Sequence, residues 1–268
     1  MDFSAAVQRA QGSIVCLYLN DRGDHEDAWA TASGVLARIG SRTFVLTAGH
    51  NLAGLQPRDV FLMFPRQKIV LPWSGGRCIT RLFANEEPDV GVIELNEADR
   101  GYWGHMVALH ETDFGGEAGA EAGEVMLLLG FPSARTHVEK MKEAEDPRSP
   151  HFFASAGFAV RARLDEGVRS PFEPPEGRGF HVVYHGATFF DPDTGRPAPL
   201  PPPNGLSGGP LVVVSETKVR LLGLARSKHG EDEQFEWCEP ASEAVRLLLE
   251  HDDPVVRSAA GRILQSFE

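Results

Sequence analysis

Ser207 stands in "PPPNGLSGGP", residues 201–210, with glycines at 205, 208 and 209 and a run of prolines upstream. Glycine carries no Cβ, so the backbone around Ser207 can take positive φ and come close to another group. Such a turn either saves space or presents the serine. A serine hydroxyl is a poor nucleophile at neutral pH; it needs a base to take its proton, and that base needs a third group to hold its tautomer. His50 closes the apolar run "TFVLTAGH", and Asp89 opens "DVGVIEL". Taken singly, each has an ordinary structural reading as a strand-end histidine, a strand-initiating turn residue or a tight glycine turn. Taken together, they supply a nucleophile, a general base and an orienting carboxylate for attack on an acyl carbon.

The elements that must position these residues are strands. Short β-branched runs broken by Gly, Pro, Asn or Asp every eight to twelve residues or so are an all-β pattern. Residues 13–19, 33–40, 42–49, 60–65, 89–95, 125–132, 153–164, 180–186, 209–215 and 219–227 read as strands, enough for two small barrels. Residues 111–125, "ETDFGGEAGAEAGEV", suit an exposed seam between two halves. Residues 133–151 form a charged surface insertion with room for a short helix. The expected organisation is an N-terminal barrel over 1–110 carrying His50 and Asp89, a C-terminal barrel over 111–239 carrying Ser207, and a helical segment over 240–268.

That last segment changes period. Residues 241–251 have a helical composition, and Asp253 with Pro254 forms an N-cap and first-turn pair ahead of a second helix. Val256, Ala260, Ile263 and Phe267 fall on one face, expected to pack on the barrels, with docking of a partner as the alternative. The proline run 197–203 is stiff and would deliver the chain to Ser207 along a defined path.

On these residues the chain resembles the trypsin-like serine peptidases of the two-barrel chymotrypsin type. Thr47-Ala48-Gly49-His50 matches that family's histidine motif, "DVGVIEL" from Asp89 its aspartate motif, and Gly205-Leu206-Ser207-Gly208-Gly209-Pro210 its nucleophile motif. The order His, Asp, Ser is also that of the family. The resemblance implies two six-stranded antiparallel Greek-key barrels and an acyl-enzyme mechanism without metal or organic cofactor. In it Ser207 attacks, His50 shuttles the proton and Asp89 orients His50. An oxyanion hole would be built over Gly205, Leu206 and Ser207, with the N–H groups of Gly205 and Ser207 as donors. It further implies substrate contacts at Pro201 and Asn204, with Leu224, Ala225 and Arg226 on the strand that pairs with substrate backbone.

Departures from the family narrow the reading. Asn51 follows His50 where many secreted members have cysteine, which fits an intracellular bacterial type, and Leu206 precedes the serine where zymogen-activated members have aspartate. No carboxylate occupies Pro201, at the base of the primary pocket, so a small or apolar residue is the expected preference at the cleavage position. A preference for Lys or Arg would have to come from elsewhere, for example Asp191 or Asp193, which read instead as residues of a turn, "DPDTG".

Composition sets the outer bounds. A net charge of -12, from 26 basic and 38 acidic residues, gives no electrostatic footprint for nucleic acid or an anionic membrane. No cationic, apolar leader or membrane-length apolar stretch is present, and the three widely separated cysteines read as buried free thiols. The expected location is the cytoplasm. His181 and His185 share a strand face about 13 Å apart, too far to chelate one metal unaided. The expected partners are a protein or peptide substrate and a regulatory protein that restrains activity. A peptidase fold kept as a latent or inactive binding module in a signalling or defence system is the alternative, and esterase-like activity on small acyl substrates a third.

Overall fold

Runs such as "IVCLYL" and "PLVVV" have no polar alternation, so their strands need cover on both faces. The computed structural model provides it. It describes residues 4–19, 30–55, 60–64, 69–72, 78–81, 88–104, 106–115, 124–132, 136–140, 151–155, 158–164, 180–183, 189–190, 197–198, 205–229 and 235–268.

The first sheet comprises β1 (Ile14–Leu19), β2 (Ala30–Ile39), β3 (Arg42–Thr47), β4 (Val60–Phe64), β5 (Ile69–Pro72), β6 (Cys78–Arg81), β7 (Val90–Glu94) and β8 (Leu109–His110). Its strands run β5-β4-β1-β2-β3-β7-β6, with β8 added parallel to β2. From the second half come β9 (Val125–Gly130), β10 (Thr136–Lys140), β11 (His151–Ser155), β12 (Phe158–Leu164), β13 (Phe180–Val183), β14 (Phe189–Phe190), β15 (Pro197–Ala198), β16 (Pro210–Val214), β17 (Val219–His229) and β18 (Phe235–Pro240). Six of them close into an antiparallel barrel, β12-β13-β18-β17-β16-β9; β10 with β11 and β14 with β15 form separate two-stranded sheets.

This is the expected all-β, two-sheet architecture with differences in detail. The second barrel has the expected six strands, whereas the first sheet has seven in its path and an eighth beside it. The stretch 153–164 is not one strand: β11 ends at Ser155, β12 begins at Phe158, and they join different sheets. Within 133–151, residues 136–140 are a strand, with no helix among the described residues. The start of the expected exposed seam is instead packed: Asp113 and Phe114 are buried, and Phe114 bridges to Leu221.

Alternation along β1 explains its uniform burial. Val15, Leu17 and Leu19 point into the core of the first sheet, while Ile14, Cys16 and Tyr18 join a larger core shared with the second barrel and the helices. The helices close that larger core from outside. They are α1 (Ser4–Gly12), α2 (Arg100–Trp103), α3 (Ala241–Leu247) and α4 (Pro254–Gln265), and α1, α3 and α4 contribute to it. α1 was not expected; it buries Ala6 and Ala10, and Arg9 pairs with Asp113. α4 buries Val256, Ala260 and Ile263, with Phe267 packed against the same core, the face anticipated from spacing. Among the described residues, no helix is long and apolar enough to cross a membrane.

Asp253 caps α4 as its sequence position suggests. Its carboxylate accepts from the Val255 N–H at 2.8 Å and from Ser41 Oγ at 2.8 Å, with Arg42 Nε at 3.6 Å. The Ser41 hydrogen bond first, then the Val255 N–H, hold its carboxyl below the ordinary value of 3.8. A carboxyl lowered on folding adds stability above its unfolded pKa and loses it as pH falls through the folded one. Asp253→Ala should therefore lower Tm by a few degrees at pH 7, and the gap to the parent should close as the pH is taken below the ordinary carboxylate range. Thermal melts from pH 7 to pH 2.5 check this; a gap of constant size would mean that the charge on Asp253 contributes nothing.

Candidate active site

β3 delivers His50. The strand ends at Thr47, and a short 3-10 turn over Gly49–Asn51 carries the imidazole out of the core. β7 begins at Val90, which places Asp89 at the mouth of the neighbouring strand, since β3 and β7 pair Thr47↔Gly91. The Asp89 carboxylate is buried yet satisfied: Oδ1 accepts from the His50 N–H at 2.8 Å, and Oδ2 lies 2.6 Å from His50 Nδ1. A carboxylate in that position favours the tautomer with the proton on Nδ1 and leaves Nε2 as acceptor. Ser207 Oγ is 2.7 Å from Nε2, in place to donate to it; the Arg226 carbonyl, 3.1 Å away, is the alternative acceptor. Residues distant in sequence thus form one continuous relay, Asp89 to His50 to Ser207.

Both readings of the glycine turn hold. Gly205 has φ +92° and Gly208 φ +84°, a backbone region that favours glycine. A Cβ on Gly208 would lie 2.0 Å from Thr47 Oγ1 and 2.1 Å from the Ser33 carbonyl oxygen, so the turn saves space against the first sheet. It also presents Ser207. The Leu206 carbonyl accepts from the Gly209 N–H at 2.7 Å, and in a trans peptide this turns the Ser207 N–H to the opposite side. Among the described residues neither the Gly205 nor the Ser207 N–H has a hydrogen-bond partner. Leu206 itself is buried and anchors the turn.

Three polar residues that sequence reasoning did not assign hold this turn. The Ser33 N–H donates to the Ser207 carbonyl at 2.8 Å, Ser33 Oγ donates to the Gly205 carbonyl at 2.7 Å, and the same Oγ accepts from the Phe131 N–H at 2.8 Å. Thr47 Oγ1 donates to the Ser33 carbonyl at 2.7 Å, and Asn51 Nδ2 donates to Thr47 Oγ1 and to the Ser207 carbonyl at 3.0 and 3.1 Å. Ser33 looks like any small polar residue in a β-run, so no local signal marks it.

The expected substrate contacts divide. Pro201 and Asn204 lie outside the described residues, as does His185. Leu224 and Ala225 are buried with neighbours on both sides: Leu224 pairs with Pro210 and Glu239, while the Ala225 N–H donates to the Gly209 carbonyl and its carbonyl accepts from the Gly208 N–H. From Arg226 onward β17 pairs with β18 alone among the described residues. The Arg226 side chain turns inward, with Nε 3.7 Å from Asp89 Oδ2 and Nη1 3.2 Å from Glu239 Oε1. Burial pushes the Glu239 carboxyl above its ordinary range, opposed by Arg226 and by a hydrogen bond from the Asp89 N–H at 3.4 Å.

No family model matches the chain, and no curated protein matches it in sequence. Solved structures do match. The Rv3671c protease from M. tuberculosis in its active form superposes with TM-score 0.50 at 15% identity, over 92% of this chain and 83% of that one; its inactive form gives 0.50 at 16%, over 93% of each. The HtrA-type protease AlgW with tripeptide gives 0.53 at 16% identity, over 94% of this chain and 64% of that one. The chain has the chymotrypsin-like serine-protease fold. In that fold the relay sits where the two sheets meet, and its parts come from both.

Ser33→Ala tests how the sheets are joined at the site. It leaves the Gly205 carbonyl and the buried Phe131 N–H without their partner, a loss on the order of 2 kcal/mol. Urea unfolding should show that loss in the midpoint with the slope unchanged; an unaltered midpoint would mean that the turn is held without the Ser33 hydroxyl.

Proposed function

We propose that this protein is a serine endopeptidase, and the observation that carries the reading is the unbroken hydrogen-bonded relay Asp89–His50–Ser207. In the proposed reaction Ser207 Oγ attacks the scissile carbonyl carbon while His50 Nε2 takes its proton. The carbonyl oxygen becomes an oxyanion facing the N–H groups of Gly205 and Ser207. Charge develops there only in the transition state, so donors already oriented toward it lower the barrier without reorganising; one such donor is worth roughly 10²–10³ in rate. The imidazolium returns its proton to the leaving amine, and water, activated by the same imidazole, then releases the acyl group and restores the serine.

Asp89 acts at two points. It keeps Nε2 free as the acceptor, and its negative charge stabilises the imidazolium while it exists. The substrate in this reading is an extended peptide or protein segment, laid along the edge of β17 from Arg226 onward. We place the enzyme in the cytoplasm, a reducing compartment that suits the buried cysteines Cys16 and Cys238. Narrow specificity and restraint by a regulatory protein complete the proposal, since an unrestrained peptidase would damage its own compartment.

A fluorophosphonate probe should add once to the native chain at Ser207 and not to Ser207→Ala, with intact mass as the readout. Correctly folded native protein that took no adduct would overturn the proposal and favour a binding module that keeps the fold without turnover. Asp89→Asn should reduce turnover of a peptide substrate by about 10⁴-fold, because the ring would be held in the wrong tautomer. Near-native turnover in that variant would remove Asp89 from the role given to it.

A further inference from the structure

Arg226 touches both ends of the relay. A bulge in β17 sets it between the pairs Ala225↔Cys238 and Ser227↔Trp237, so that its carbonyl stands 3.1 Å from Ser207 Oγ while its guanidinium flanks Asp89. That cation works against the proposed chemistry. Proton transfer to His50 creates an imidazolium that needs the negative charge of Asp89, and a largely buried guanidinium 3.7 Å from Oδ2 offsets part of that charge.

Glu239 takes the other flank of the same guanidinium. Its side chain is only 2% exposed, Oε1 lies 3.2 Å from Arg226 Nη1, and the same oxygen accepts from the Asp89 N–H at 3.4 Å. With all three ionised, Asp89, Arg226 and Glu239 carry one net negative charge; without the charge on Glu239 they carry none. A buried carboxylate is costly to keep, and here it faces a cation that would weaken the relay.

Resting on the peptidase reading, we propose that Glu239 is a positioning residue of the site: by holding Arg226 it leaves Asp89 its negative charge to act on the His50 imidazole. Among the described residues, the charged groups facing Glu239 are Arg226 from β17, Asp89 ahead of β7 and Glu243 from α3. Those facing Asp89 are His50 from the turn after β3, Arg226 and Glu239. Burial pushes the Glu239 carboxyl upward, opposed by Arg226 and the hydrogen bond from the Asp89 N–H, with the charges of Asp89 and Glu243 adding smaller pushes. Its charge is therefore lost at a higher pH than an ordinary glutamate loses its own.

The test is the pH dependence of fluorophosphonate labelling in Glu239→Gln, a near-isosteric change. Labelling at pH 7.5 should slow by about tenfold or more, and the acid limb of the rate profile should move to lower pH, because the imidazolium has lost a net negative neighbour. Removing the cation as well, in Glu239→Gln with Arg226→Gln, should return the limb toward its native position. Arg226→Gln alone should move it to higher pH, which keeps the test open if Glu239→Gln does not fold. A purely structural role would reduce the yield of folded protein and leave the limb where it was. An unmoved limb in a folded Glu239→Gln, or a double variant displaced as far as the single one, would overturn the proposal. NMR titration of the His50 ring in the Ser207→Ala chain, with and without Glu239→Gln, reads the same displacement without turnover. Absence of labelling in the native chain would then count against the peptidase reading, and an unmoved His50 titration against the role of Glu239.

Discussion

The site depends on the missing Cβ at residue 208. The Ser207 turn meets the first sheet so closely that a methyl group there would lie 2.0 Å from Thr47 Oγ1 and 2.1 Å from the Ser33 carbonyl oxygen. Thr47 Oγ1 donates a hydrogen bond to that carbonyl, and Thr47 is the last residue of the strand that carries His50. The distance between Ser207 and His50 is therefore set by close packing of the Gly208 backbone against the first sheet. Long side chains could hold the same atoms together, but each would have several rotamers to lose. A backbone contact with positive φ on one side and a strand end on the other has almost none.

At this junction Ser33, Thr47 and Asn51 satisfy one another and the Gly205 and Ser207 carbonyls. Ser33 donates its N–H to the Ser207 carbonyl and its hydroxyl to the Gly205 carbonyl, its own carbonyl accepts from the Thr47 hydroxyl, and Asn51 completes the arrangement by donating to Thr47 Oγ1 and the Ser207 carbonyl. Buried groups matched in this way cost little, whereas removal of one member exposes the desolvation cost of the rest. The ionic groups behind Asp89 follow another logic. Asp89 and Glu239 are both buried and both touch Arg226, so the charge at the back of the relay is divided among three side chains from three separate strands or strand ends.

The relay was legible in the sequence because each member sits in a local pattern: a glycine turn around Ser207, an apolar strand ending at His50, an aliphatic strand beginning at Asp89. The two-sheet fold was legible from the spacing of the β-runs, and α4 from Asp253, Pro254 and a regular apolar face. What was not legible depends on partners far along the chain. Ser33 acquires its importance from residues 172 and more positions away, and Arg226 from a bulge that turns its side chain toward Asp89. β18, "FEWCEP", carries two glutamates and ends in proline, so composition alone does not mark it as a barrel strand; Glu239 is tolerated there because Arg226 meets it. α1, "SAAVQRAQG", has small residues on its buried side, too weak a pattern to announce a helix.

The span between Ser33 and Ser207 also bears on how the molecule comes into being. Contacts this distant in sequence close large loops, at an entropic cost that local hairpins such as β16 with β17 largely escape. On a ribosome the His50 strand emerges long before Ser207 exists, and the serine turn is then without the sheet that shapes it. A chain interrupted between the two halves, or caught before they dock, would possess every reactive group and no assembled relay. Because its members come from both sheets, the relay exists only in a chain whose two halves have met, so its geometry reports the fold of the whole molecule.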